Sequence, residues 1–396
     1  MTTEAVDDKK PRTRLDYIDG LRGLAVLMVI ITHTWTTNGA PALSFHIHHH
    51  SIVLAALPAV GYIGVDLFLV LSGFCLAYPF MRNPNYRGRI TVAEFWKRRY
   101  LRIAPAYYVS IALVFVFYIV VGHFLHSHPT YMHASHADEF NRPPPIAEIL
   151  PHLVFIHNLS VAHFFTINGA YWSLGLEFQL YFAFPLLLEL CVRWGVWKTV
   201  LSALALQAIY STIVCTGPGA HLPLSETVLN KAVFGRLYEF SAGIVAAYIV
   251  SRPADEYRWL RNRVGLCLSA IVLTTAFVMA TGQMFQYQPV IDILWPTGFA
   301  MLVCCGAQHG SRRHGFLSYR PLVRIGEQSY SIYLVHLPLI VLESIVLEVK
   351  LRPGSAFIVG MLSIPVIIGI GVVFYRLVEH PFLEIAQRSR ARAAAS

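Results

Sequence analysis

The sequence predicts an all-α, polytopic membrane protein of about ten transmembrane helices with both termini cytoplasmic. Three observations carry that prediction. The first is composition: of 396 residues, 56% are hydrophobic and 13% charged, and the mean hydropathy is +0.54. Soluble domains carry about 25% charged residues, so half that fraction leaves too few ionic groups to cover a wet surface. The 24 Phe, 20 Tyr and 7 Trp also exclude a disordered chain. The second is pattern. Apolar segments of about 20 residues, the length that crosses the hydrocarbon core as a helix, recur at 20–38, 60–81, 104–124, 173–194, 196–216, 232–251, 264–282, 290–308, 328–349 and 356–378. The third is the placement of charge. With a cytoplasmic N-terminus, 26 of the 31 Lys and Arg residues fall on the inner side, leaving Arg142, Lys231, Arg236, Lys350 and Arg352 outside. That is the positive-inside pattern. It explains the net charge of +9 without nucleic acid, which is excluded as a partner.

One membrane domain is expected over 20–382, with tails at 1–19 and 383–396 and no internal repeat. The first apolar segment follows a tail of mixed charge without a small-residue cleavage site, so it reads as a span rather than a removable signal. Segments 60–81 and 290–308 are the least uniform and are candidates for broken helices. All six cysteines lie in apolar stretches without a CxxC pair, and read as small buried hydrophobes rather than disulfides or zinc ligands. The outer loops are rich in His instead, with FHIHHHS at Phe45–Ser51 and a further series from His123 to His163. No carboxylate or Cys stands there at ligand spacing, which favours a nearly neutral polar loop over a metal site.

Ionisable groups at membrane depth cost at least about 2.5–3.5 kcal/mol each, and are functional candidates for that reason. The first span carries Asp19, Arg22 and His33. Arg22 and His33 are 11 residues apart, about three turns and about 16.5 Å, on one helix face. Arg22 is placed at the cytoplasmic mouth and His33 past mid-membrane, with Asp19 one turn before Arg22 and able to pair with it. In GYIGVDLFLVLSGF, Gly61 to Phe74, Asp66 either orients His33, pairs with an Arg or clamps the helix, and Gly61, Gly64 and Gly73 permit close helix approach. In FWKRRYLRIAPAYY, Phe95 to Tyr108, either Arg98/Arg102 or Arg99/Arg102 makes a basic face. Such a face suits phosphates or, equally, snorkels as a positive-inside anchor. In YWSLGLEFQLYF, Ser173, Glu177 and Tyr181 share a helix face, Trp172 marks the interface, and Glu177 is placed at the depth of His33. Arg236 and Glu239 read as a self-neutralising clamp. Tyr330, Tyr333 and His336 recur at i+3 in SYSIYLVH, and VEHPF, Val378 to Phe382, closes the last span.

Taken together, these stretches resemble the acyltransferase-3 family of membrane acyltransferases over about residues 14–385. Its Arg, ten residues and His in the first span correspond to Arg22 and His33. LDYIDGLRG, GYIGVDLFLVLSGF, RRYLRIAPAYY (implying Arg99 and Arg102), YWSLGLEFQLY, SYSIYLVH and EHPF are similar to its successive motifs. The resemblance implies transfer of an acyl group, most often acetyl, from cytoplasmic acyl-CoA (acetyl-CoA) to a hydroxyl. The acceptor is a glycan, a lipid-linked sugar or a glycosylated small molecule, and no metal is required. It implies a catalytic His33, and a mechanism that fits the spacing makes it the general base, oriented by Glu177 or Asp66. It also implies Arg99 and Arg102 on the CoA phosphates; Arg22 and Asp19 are expected to complete the CoA-binding set, and Trp172, Ser173, Tyr181, Tyr333 and His336 to contact substrate. Of these, Tyr333, Ser173 and Trp172 are the alternatives for stabilising the oxyanion. Some members carry a fused periplasmic esterase-like domain; for a chain ending at Ser396 the expectation is a separate periplasmic partner or direct acylation. The expected location is the inner (cytoplasmic) membrane. Two other classes fit parts of the pattern. A proton-coupled exporter would use the intramembrane His, Asp and Glu, and a non-catalytic membrane scaffold would need no Arg22/His33 register.

Overall fold

The structure is a computed structural model that describes residues 15–42, 44–47, 50–53, 55–83, 91–140, 144–216, 228–282, 287–309 and 315–385. It is an α-helical bundle. Its described helices of eight or more residues are α1 (Asp16–Thr37), α2 (Gly64–Arg82), α3 (Val92–Ser127), α4 (Trp172–Trp194), α5 (Val196–Thr216), α6 (Leu237–Ser251), α7 (Arg263–Thr281), α8 (Gln288–His309), α9 (Arg320–Glu327), α10 (Ser329–Lys350) and α11 (Pro353–Phe374). A two-stranded antiparallel hairpin, β1 (Ser44–Ile47) and β2 (His50–Val53), follows α1 with Phe45 opposite Ile52. It carries part of the His-rich run, whose side chains lie outside the described residues. Among the described residues, no group of three His, Cys, Asp or Glu side chains is placed to hold a metal ion.

Among the described residues, nine helices are long and apolar enough to cross a membrane. They match nine of the ten predicted segments; the tenth, α6, has only 15 residues, preceded by the tight turn Val233–Gly235 and the buried Arg236. Neither suspected broken helix is broken within the described residues. The 60–81 segment opens with one tight turn, Gly61–Ile63, and continues as α2, while α8 runs through Pro296 without interruption. The outer faces of the bundle are apolar, as lipid requires: Leu362 and Val366 on α11 and Ile119 on α3 are well exposed. Close crossings bring the central helices together. A Cβ at Gly64 would strike the Ala25 carbonyl of α1, and one at Gly73 the Phe240 carbonyl of α6, so only Gly fits either place.

Two departures from regular spans position the site. Helix α3 has 36 residues, about 54 Å at 1.5 Å per residue, and so extends well beyond the hydrocarbon on its basic side. It starts on a capping box, in which Thr91 Oγ1 accepts from the Glu94 amide and the Glu94 carboxylate from the Thr91 amide. The chain between α3 and α4 then dips into the bundle instead of staying on its surface. Tyr171 Oη donates to Ser110 Oγ halfway along α3, and Asn168 Nδ2 donates to the Leu334 carbonyl of α10. His152, His157 and Asn158 are fully buried in this segment. Non-helical backbone at membrane depth persists only when protein surrounds it, and here it does.

Candidate active site

Two cavities lie on either side of a thin partition. The first, about 330 Å³, is the one the arginines enter. Arg22 of α1 and Arg99 and Arg102 of α3 line it, with Ser72 and Cys75 of α2, Ser173, Glu177 and Tyr181 of α4, and Tyr330 and Tyr333 of α10. Its remaining wall is apolar, from Val65, Phe68 and Leu69 among others. Three guanidinium groups at one end of a narrow, part-apolar cleft make a site for a polyanion with a long thin tail. Arg99 is held over the rings of Phe95 and Tyr181, 5.7 and 5.9 Å from their centroids. Glu177 accepts from Tyr181 Oη at 2.6 Å and from Ser72 Oγ at 3.0 Å.

The second cavity, about 490 Å³, opens towards the opposite face. His33, Thr36 and Thr37 of α1 line it, with Phe117 and Tyr118 of α3, His136 and Glu139 from the turns after α3, Asn168 and Gly169 from the dipping segment, and Leu337 of α10.

The partition is a chain of hydrogen bonds. His33 Nδ1 is 2.9 Å from His336 Nε2, and the rings stack at 5.0 Å between centroids. His336 Nδ1 is 2.6 Å from the Tyr333 carbonyl. Tyr333 Oη in turn donates to the Ala170 carbonyl at 2.8 Å and lies 2.7 Å from Ser173 Oγ. A carbonyl oxygen only accepts, so His336 carries its proton on Nδ1 and offers a lone pair at Nε2. Neutral His33 therefore donates from Nδ1 and keeps its own lone pair on Nε2, which has no partner among the described residues. An unprotonated nitrogen on the ring that lines the second cavity is suited to accept a proton from a hydroxyl there.

Residues 15–376 match the family model described as an acyltransferase domain. The chain belongs to the acyltransferase-3 family. It is 25% identical over 382 residues to the peptidoglycan O-acetyltransferase OatA of Listeria monocytogenes, covering 87% of this chain and 54% of that protein. It is also 25% identical over 391 residues to the O-acetyltransferase OatA of Staphylococcus aureus, covering 92% of this chain and 56% of that one. To the acyltransferase MdmB of Streptomyces mycarofaciens it is 26% identical over 406 residues, 96% of this chain and 95% of that one. The chain thus spans about half the length of the OatA proteins and nearly all of MdmB. No solved structure matches it.

Of the family positions, Arg22, Arg99, Arg102, Ser173, Glu177, Tyr181 and Tyr333 come together at the first cavity, and His33 with His336 at the partition. Of the two arginine pairs open from the sequence, the structure turns Arg99 and Arg102 into the cavity and leaves Arg98 outside its lining. Asp19 is not a lining residue, although it lies with Arg22 within electrostatic reach of Cys75.

Three expectations are corrected. Neither Glu177 nor Asp66 touches His33; its partner is His336. Glu177 sits deeper than expected because α4 begins inside the bundle, after the dipping segment, and not at the membrane surface. Asp66 is committed elsewhere. Its carboxylate accepts from Arg236 at 3.0 Å, and the same guanidinium bonds Glu239 at 3.1 Å and lies 3.8 Å from Asp292. The expected Arg236/Glu239 clamp is therefore one part of a buried cluster joining α2, α6 and α8. Trp172 lines neither cavity: its ring stacks on Phe164 and carries Lys231 Nζ at 4.3 Å. Of the three oxyanion alternatives, Tyr333 and Ser173 line the first cavity and Trp172 does not.

Sequence reasoning also missed several residues. Cys75 faces the first cavity and is not a buried hydrophobe. Ser72 holds Glu177, and Glu379 of the EHPF stretch accepts from Ser331 and lies within electrostatic reach of Arg102. Ser72, within the Asp66 motif, and Cys75, just past its end, share one helix face, but no local signal says which face meets the arginines. Asn168, His136 and Glu139 come from segments with no periodicity to read.

Proposed function

We propose that this protein is a multi-pass O-acyltransferase of the cytoplasmic membrane. It moves an acyl group, in the first place acetyl, from cytoplasmic acyl-CoA to a hydroxyl of a glycan or glycosylated molecule arriving from the other side. The observation that supports this best is the pair of cavities meeting at the His33–His336–Tyr333–Ser173 partition. One is lined by three arginines, and the other carries the base.

On this reading Arg99, Arg102 and Arg22 hold the CoA phosphates, and the pantetheine arm follows the apolar wall towards Tyr333. The acceptor hydroxyl reaches His33 from the second cavity. His33 Nε2 takes its proton as the oxygen bonds to the thioester carbon. Tyr333 Oη or Ser173 Oγ stabilises the oxyanion of the tetrahedral intermediate. The carbon–sulfur bond breaks, and the CoA thiolate leaves with the proton held by the imidazolium. His336 keeps the His33 ring in its tautomer throughout, the part a third group plays in hydrolytic triads. Glu177, hydrogen-bonded to Ser72 and Tyr181, orders the polar wall of the CoA cavity.

The test is acetyl-CoA consumption by purified protein in nanodiscs with a glycoside acceptor, read as free CoA thiol, with the ester product identified by mass spectrometry. Wild type should form CoA and ester in equal amounts, and His33→Ala neither above background. Wild-type rates in His33→Ala would refute the scheme, and transport of the glycoside without CoA release would identify an exporter.

A further inference from the structure

The first cavity changes character along its length, and the helices around it record the change in step. On α2 the lining side chains Cys75, Ser72, Phe68 and Val65 follow one another at helical spacing, over about 15 Å at 1.5 Å per residue. Cys75 lies within electrostatic reach of Arg22, Arg99 and Arg102. Ser72 Oγ donates to Glu177 of α4 at 3.0 Å. The Phe68 ring stands edge-on to Tyr333 of α10, with centroids 6.3 Å apart and planes at 79°. On α4 the order is the same: Tyr181 under the Arg99 guanidinium, then Glu177 on Ser72, then Ser173 on Tyr333. The cavity thus runs from an arginine end to an apolar end, and the hydroxyls of Tyr333 and Ser173 stand where the apolar end begins.

Phe68 forms that end. Its neighbours Leu67 and Leu69 are buried, whereas the Phe68 ring is half-buried and lines the cavity. The backbone that carries it is fixed at two crossings, where Gly64 meets the Ala25 carbonyl of α1 and Gly73 the Phe240 carbonyl of α6. Helix α2 therefore cannot withdraw from a ligand. With a thioester carbonyl at Tyr333 and Ser173, the acyl chain beyond it has only the space bounded by Phe68, Val65 and Leu69. Each added methylene there has to drive the ring into packed neighbours, and overpacking of that kind is unfavourable. We propose that Phe68 sets the acyl length of the donor, closing the cavity on acetyl and excluding butyryl and longer chains. The proposal rests on the reading of the first cavity as the acyl-CoA site.

Acetyl-CoA, butyryl-CoA and octanoyl-CoA serve as donors for the full chain in nanodiscs, with octyl glucoside below its micellar concentration as acceptor. Free CoA and ester are read together. The kcat/KM for acetyl-CoA should exceed that for butyryl-CoA by at least about tenfold, the lower end of what one methylene changes in an apolar pocket. Phe68→Ala should bring that ratio below about threefold by raising butyryl use. Phe68→Leu should fall between, and it decides the question if the alanine variant does not fold. Phe74→Leu is the control on the same helix: it removes a buried ring, stacked on Tyr78, that does not line the cavity. Its ratio should stay within about twofold of wild type. Equal use of both donors by wild type, an unchanged ratio in the Phe68 variants, or an equal change in Phe74→Leu overturns the proposal. Calorimetric binding of the same donors to the His33→Ala protein needs no acceptor and separates this from the reading beneath it. A length preference in binding that Phe68→Leu relaxes, with no CoA release from wild type, upholds Phe68 and removes acyl transfer. CoA release without length preference does the reverse, and absence of preference in both measurements overturns the assignment of Phe68.

Discussion

His33 Nδ1 and His336 Nε2 meet at 2.9 Å across 303 residues of sequence, and this contact sets which nitrogen of His33 is basic. Its consequence is a kinetic split. His336→Ala frees the His33 ring to rotate and to exchange tautomers without touching the arginine cavity. The expected result is a kcat lower by about 10²–10⁴-fold, the range for losing a group that fixes a catalytic imidazole. The KM for acetyl-CoA should stay within about threefold. Steady-state CoA release over a range of acetyl-CoA concentrations checks both.

The arginines predict the complementary split. Arg99 and Arg102 face the first cavity and Arg98 does not. Arg99→Ala and Arg102→Ala should each raise the KM for acetyl-CoA by about tenfold or more, as expected for loss of a charge-assisted phosphate contact. Arg98→Ala should change it by less than about twofold. Equal effects from all three would mean a diffuse basic surface and not a built site.

Much of this was legible in the sequence, and the limits follow from physics. Spans announce themselves because lipid demands continuous apolar helix, and of the predicted segments only α6 falls short, its first part taken by the tight turn Val233–Gly235 before the buried Arg236. Arg22 and His33 were legible because their spacing is local to one helix. The partner of His33 was not, because nothing local records which residue of another helix reaches it. The depth of Glu177 is not legible, because sequence alone places the start of each helix at the membrane surface. The dipping segment, held by Asn168 and Tyr171 through contacts with α10 and α3, breaks that assumption. Asp66 had an arginine among its possible partners from the start, and the fold chose it.

Cys75 gives a direct probe of occupancy. It is exposed into the cavity that the three arginines line. A small neutral maleimide should alkylate it in the free protein, and saturating CoA should slow that reaction by at least about fivefold by mass action. Cys267, on the outside of α7, supplies the internal control, because its labelling should not respond to CoA. Peptide mass spectrometry after timed labelling reads both sites together.

The Arg236 cluster predicts a stability effect independent of activity. One guanidinium serves Asp66 and Glu239 and approaches Asp292, all nearly inaccessible. Arg236→Met leaves buried carboxylates without their cation, and breaking such a pair costs about 3–5 kcal/mol. The melting midpoint of the solubilised protein should fall clearly. Adding Asp66→Asn should recover part of the loss, because it removes one of the uncompensated charges. A further fall in the double variant would show that Asp66 contributes in some other way.

The dipping segment should respond to acid. His157 stacks face to face on His152, with centroids 4.0 Å apart, and its Nε2 lies 2.9 Å from the Tyr171 carbonyl. Burial, reinforced by His152 and His163, pushes the His157 pKa down from an ordinary 6.5 to about 3. Glu148, bonded to His163, is the nearby carboxylate. A base whose pKa falls on folding binds fewer protons folded than unfolded between those two values. Its contribution to stability is therefore complete above about pH 6.5 and declines as the pH drops below it. Because Tyr171 leads directly into Trp172 and Ser173, loosening here reaches the Ser173–Tyr333 contact. Hydrogen exchange across 149–171 should accelerate at pH 5 relative to pH 7.5, and His157→Phe, which cannot be protonated, should remove most of that difference. Equal acceleration in His157→Phe would place the acid-sensitive group elsewhere in the segment.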